Sequence, residues 1–138
     1  MAADGDRDGD IARARREFAA LLGEFRRTAV LVPLVDGDGL WSAESEGIRW
    51  IYAFTDEGAL ARWAMARGEA DQEWAYRRVL GARLLDVVAP AMGVPCGVAV
   101  DVADGADAVL FPPVAGIVPD SVAVNARAVG ASAAEGTA

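Results

Sequence analysis

Residues 47–64, GIRWIYAFTDEGALARWA, leave few folds open. Ile48, Trp50, Tyr52 and Phe54 alternate onto one face of an extended strand, and Arg49, Ile51 and Ala53 onto the other. Both faces are mostly apolar, the pattern of a central strand covered on both sides. The chain then turns directly into a helical pattern. Thr55 is the expected N-cap, and Asp56 and Glu57 suit the positive end of the helix dipole. Leu60, Trp63 and Ala64 recur at helical spacing and are expected to point back at the sheet, with Gly68 ending the helix. The aromatic stripe has two readings, the core of a strand–helix unit or the lining of a binding groove. Regular apolar spacing favours the core.

The flanking segments fill in the layers. From Asp10, a plausible N-cap, Ile11, Phe18, Leu21, Leu22 and Phe25 form one helical stripe, with Arg13, Arg16 and Glu17 on other faces. TAVLVPLV, residues 28–35, reads as a buried strand, and Pro33 suggests an edge position or a bulge. The DGDG turn at 36–39 leads into a short strand at LWSAES, and Glu46-Gly47 makes a second turn. Beyond Gly68 a helix is expected over Asp71–Leu80 and a short one over ARLLDVVAP. PCGVAVDVADGADAVLFPP reads as two strands around an Asp104-Gly105 turn. The expected fold class is α+β: a mixed, largely antiparallel sheet of about five strands covered by three to four helices. At 138 residues the chain is one domain's worth, enough to bury roughly two thirds of its unfolded surface. The expected division is a disordered acidic tail at 1–9, one domain at 10–125, and a disordered Ala/Gly-rich tail at 126–138.

The succession VLVPLV, GIRWIYAFTDEGALARWA, YRRVLGARLL and GVAVDV resembles the N-terminal domain of the SseB family. In that family a strand ending in Phe-Thr leads into a helix with a Leu and an aromatic one turn apart. Phe54, Thr55, Leu60 and Trp63 stand at the matching positions, and the resemblance spans roughly residues 11–124. Where the family often carries Asn-Pro-Gly after the late strand, this chain has Asp101, Val102 and Ala103, and the second domain of longer members is missing. The resemblance implies a bacterial α+β domain and supplies no catalytic residues; the excess of Ala, Gly, Val, Arg and Asp reads as the coding bias of a GC-rich genome.

Composition removes much chemistry. His is absent, so no Ser-His-Asp triad, Cys-His dyad or His metal site is available. One Cys excludes an internal disulfide and a Cys-rich zinc site. Cys96 is expected to be a buried structural residue, because PCGVAVDV runs straight into apolar strand rather than an anion-cradling loop. Asp4, Asp6, Asp8 and Asp10 mimic the start of a calcium loop, but its closing position is Arg15, a cation where a bidentate Glu is required. The turn carboxylates Asp36, Asp38, Glu44 and Glu46 are a weak candidate acid/base pair. All 13 basic residues are Arg; those flanking the helices read as solvated faces. The net charge of −8 argues against nucleic acid and anionic lipid. No window approaches the about 18 unbroken apolar residues of a membrane span. The acidic start is the reverse of a secretory signal, so the expected location is cytoplasmic.

The leading expectation is therefore a non-catalytic, cytoplasmic protein-binding or accessory domain without a cofactor. Its possible partner-binding residues are Trp41, Trp50 and Tyr52, since Trp favours interfaces. A small-molecule sensor using Trp50 and Tyr52, or a small enzyme using Cys96 or turn carboxylates, are the alternatives.

Overall fold

The computed structural model describes residues 2–35 and 39–125, with side chains described from Arg7 onward. Among them are seven strands in a mixed α+β arrangement: β1 (Ala29–Val35), β2 (Gly39–Leu40), β3 (Ser42–Ser45), β4 (Ile48–Ala53), β5 (Tyr76–Leu80), β6 (Cys96–Val100) and β7 (Val109–Phe111). The helices are α1 (Ala2–Arg26), α2 (Glu57–Ala66) and α3 (81–91). In α3 a π-turn over Leu84–Val88 separates two α-helical ends. This wide turn precedes Pro90, which cannot donate a backbone bond.

Two sheets form, β2-β1-β5 and β3-β4-β6-β7. They are joined where Leu31 and Phe54 exchange backbone bonds of 2.8 Å in both directions. Beyond that bridge β1 and β4 diverge, and residues 39–45 fill the fork. Leu40 pairs with Leu34 of β1, whereas Ser42 pairs with Ile51 of β4. Trp41 stands between them. Its N–H donates to the Pro33 carbonyl at 2.8 Å, and its carbonyl accepts from the Tyr52 N–H at 3.3 Å. Pro33 is thus internal, not on an edge: β1 has β5 on one side and β2 on the other. The proline has no N–H to offer Trp41, which leaves the Trp41 carbonyl to join the second sheet.

β4 is the central strand expected from its two apolar faces. It pairs antiparallel with β3 and parallel with β6, while β6 and β7 are antiparallel. Ile51 and Ala53 face α1 and α3, in a core with Phe25, Leu84, Leu85, Val98 and Phe111. Phe54 faces α2, in a second core with Leu31, Leu60 and Trp63. Helices therefore cover both sheet faces, α1 and α3 on one and α2 on the other.

Four further expectations are corrected. The first helix starts at Ala2, not Asp10; Asp10 lies inside it, 3.6 Å from Arg13 one turn on. Early acidic residues suit the positive end of the helix dipole, and Gly5 and Gly9 lower helix propensity without breaking the helix. Residues 2–9 are consequently helical rather than a disordered tail, and the backbone of the supposed calcium loop is continuous helix. Second, Asp71–Leu80 is not a helix. Its last five residues are β5, paired with β1 from Ala29–Leu80 to Pro33–Tyr76. An edge of β1 needed backbone partners, and five residues of strand supply them while burying Val79. Third, Asp56 rather than Thr55 caps α2, its carboxylate accepting the Ala59 N–H at 2.8 Å. Fourth, the LWSAES strand is broken at Trp41 for the reason given above. The region expected to be disordered at 126–138 lies outside the described residues.

Candidate functional site

α2 covers only one end of its sheet face. Trp63, 4% exposed, packs there against Phe54 at 5.4 Å between ring centroids, against Tyr52 at 6.0 Å and against Trp74 at 4.9 Å. The opening stripe is core at Phe54 and Trp63. Toward Ile48 the face is open. A shallow groove of about 390 Å³ runs along it, lined by Ile48, Trp50, Tyr52, Val102 and Leu110, with Ser45 and Glu46 at one end.

The backbone shapes this groove. Trp50 pairs with Gly97 and Tyr52 with Ala99, so the large rings of β4 stand beside small residues on β6. A Cβ at Gly97 would sit 2.5 Å from the Phe111 carbonyl oxygen and 2.9 Å from the Trp50 ring. Only glycine lets the indole lie that close to the sheet. Leu110 pairs with Ala99 and is 53% exposed. Glu46 and Gly47 have φ of 53° and 82°, the pattern of a type I′ hairpin with positive φ at both central residues, and this turn carries Glu46 to the groove.

Of the three expected partner-binding residues, Trp50 and Tyr52 line the groove and Trp41 does not. Trp41 is half-buried in the aromatic cluster, 4.7 Å from Tyr52 and 5.1 Å from Trp63 between ring centroids. The Arg67 guanidinium lies 5.1 Å from the centroids of both Trp41 and Trp63, a double cation–π contact.

Of the residues considered for an enzyme, Cys96, Glu44 and Glu46 lie among the described residues. Cys96 is 3% exposed, and burial pushes its thiol up to about 11, against a smaller opposing effect of the Arg49 charge. A thiol held protonated and enclosed is a poor nucleophile. Glu44 and Glu46 are exposed in and beside the β3–β4 hairpin, while Asp36 and Asp38 lie outside the described residues. Among the described residues no group of three or more His, Cys, Asp or Glu is placed to hold a metal ion. No helix among them is long and apolar enough to cross a membrane.

Sequence reasoning missed two polar features. Asp101, at the end of β6, has φ 52° and is 8% exposed. Its carboxylate accepts the Thr55 N–H at 2.9 Å and the Thr55 hydroxyl at 2.8 Å. Arg62 on α2 makes a two-pronged pair with Asp104 at 2.7 and 2.9 Å. Together they tie the β4–α2 junction to the β6–β7 connection. An acidic residue directly after the apolar run GVAV was the available signal. Comparison of the chain with protein-family models, with curated proteins and with solved structures finds no match.

Proposed function

We propose that this chain is a non-catalytic, SseB-like protein-binding domain acting as an accessory factor in the cytoplasm. On this reading the open end of the β4–β6–β7 face receives an apolar segment of a partner protein that carries a basic residue. The observation that carries the proposal is Trp50 and Tyr52 set beside the exposed Leu110 on a sheet face that no helix covers there. Aromatic side chains bury much area at little cost in side-chain entropy, and they form the anchors of interfaces. The only charged residue lining the groove among those described is Glu46, and the chain carries −8. That charge favours a cationic partner and opposes a second copy of the chain.

The test is affinity capture from the native cells with the wild-type, Leu110→Asp and Met65→Asp chains. Met65 is 67% exposed on α2, away from the groove, and serves as the control. The expected result is one partner held by the wild type and Met65→Asp, lost by Leu110→Asp, and released as salt rises. A partner retained by all three chains, or none retained by the wild type, removes the reading.

A further inference from the structure

At the other end of β4, on the opposite face of the sheet, the structure holds a crevice of a different kind. β4 and β6 run parallel, so their carboxyl ends open on the same side. The chain leaves β4 at Thr55 and β6 at Asp101. The last turns of α1 lie over these ends, and between helix and sheet remains a cavity of about 350 Å³. Its walls are apolar, chiefly Leu21, Phe25, Val30, Val100, Val109 and Phe111. Its polar groups are the Thr28 and Thr55 residues and three carboxylates, those of Glu24, Asp101 and Asp107. Among the described residues no cationic side chain lines it. The size is at the small end of ligand pockets, and the carboxyl ends of parallel strands are where open sheets commonly bind ligands.

Asp101 defines the chemistry. It is more than nine-tenths buried, and among the described residues its carboxylate accepts only from Thr55, through one N–H and one hydroxyl. A carboxylate has about four acceptor positions, so roughly two are left in reserve beside an apolar-walled space. Both donors are uncharged. The neighbouring Arg62 is committed to Asp104 by two hydrogen bonds and does not line the crevice. Glu24 and Asp107, both exposed at the crevice, add to the negative potential there.

We infer that this crevice binds a small organic amine, its ammonium group donating to Asp101 between Glu24 and Asp107 and its aliphatic body lying against Phe25, Val109 and Phe111. A charge-assisted bond inside an apolar wall is stronger than its neutral counterpart, so an ammonium outcompetes an alcohol of the same shape. A carboxylate ligand is repelled. The site does not depend on the groove at Trp50, and neither result decides the other.

The test uses the full chain labelled for amide NMR, titrated at constant ionic strength with n-butylammonium, n-butanol, n-butyrate and ammonium chloride. The expected result is saturable shifts at Thr28, Thr55 and Val109 with n-butylammonium. Binding of n-butanol and of bare ammonium should be about tenfold weaker or more, and n-butyrate should not bind. Glu24→Gln with Asp107→Asn, both at exposed positions, should weaken n-butylammonium several-fold with the fold intact; Asp101→Asn, where it folds, should weaken it further. Four results overturn the inference: equal affinity for n-butanol, equal affinity for bare ammonium, shifts spread over the acidic surface, or unchanged affinity in the Glu24/Asp107 double variant.

Discussion

Thr55 and Asp56 exchange the roles that local pattern assigns them. Either residue type caps a helix, and the choice fell to the side chain left over once Asp101 had engaged the Thr55 hydroxyl. Asp56→Ala is therefore expected to cost about 1 kcal/mol, the usual loss of a cap. Thr55→Ser, which keeps the hydroxyl, should be milder than Thr55→Val, which leaves one Asp101 oxygen without its donor at about 1–3 kcal/mol. Urea denaturation of the three variants tests this, and equal losses for Ser and Val at position 55 would contradict the Asp101 contact. The aromatic residues follow the same logic. Trp63→Ala should cost about 3–5 kcal/mol, because a core ring is lost. Trp41, placed by its sequence next to a Gly-rich turn, would be accessible and cheap to remove. Its contacts with Tyr52, Trp63 and Arg67 instead raise the expected cost of Trp41→Ala to about 2 kcal/mol, between the surface and core values. A loss under ~0.5 kcal/mol in the same measurement would show that those contacts carry little.

Single elements show how far local pattern reaches. The α1 stripe was legible as helix, but only part of it is buried: residues 7–17 are exposed, and Phe18, Leu22 and Phe25 hold the helix to the core. Phe25 stacks on Phe111 at 4.7 Å between centroids. Deleting residues 2–10 should thus change stability by no more than about 0.5 kcal/mol, whereas Phe25→Ala should cost about 3 kcal/mol; thermal and chemical unfolding measure both. α1 is also tied to α3 by Arg26, which donates to both oxygens of Asp86 at 3.1 and 2.6 Å. This contact lowers the Asp86 carboxyl below its ordinary value of 3.8. A depressed carboxyl contributes stability that is fully present above the unfolded value and lost as pH falls through the folded one. The stability gap between wild type and Asp86→Asn should then be constant from pH 7 to about 5 and shrink below pH 4. With the two side chains 37% and 44% exposed, the whole effect should stay under about 1 kcal/mol. A gap that widens on acidification would reverse the assignment. β5 shows the limit of local pattern. Gln72, Glu73, Ala75 and Arg77 favour a helix, and nothing within the segment reveals that β1 is waiting beside it.

At the scale of the molecule, the openings that the helices leave on the two faces of the sheet include the Trp50 groove and the crevice under α1. α2 has 10 residues and is roughly 15 Å long, which is too short to cover the full face of a four-stranded sheet. Because Leu110 is already 53% exposed, Leu110→Asp should leave stability within about 0.5 kcal/mol of wild type, so that any lost binding reports the surface rather than the fold. The sequence by itself determined the strand–helix unit at Ile48–Ala66 and the buried strand at Cys96–Val100, and favoured core roles for Phe54 and Trp63, since alternation and helical spacing are read from neighbours two to four residues away. Only the tertiary structure decided that β5 is a strand, that Pro33 frees Trp41 to join two sheets, that Asp101 closes on Thr55 across 46 positions, and that α2 stops short of Trp50. Each of these depends on which backbone and side-chain groups the folded chain brings together from distant segments, a choice that periodicity within any one segment does not contain.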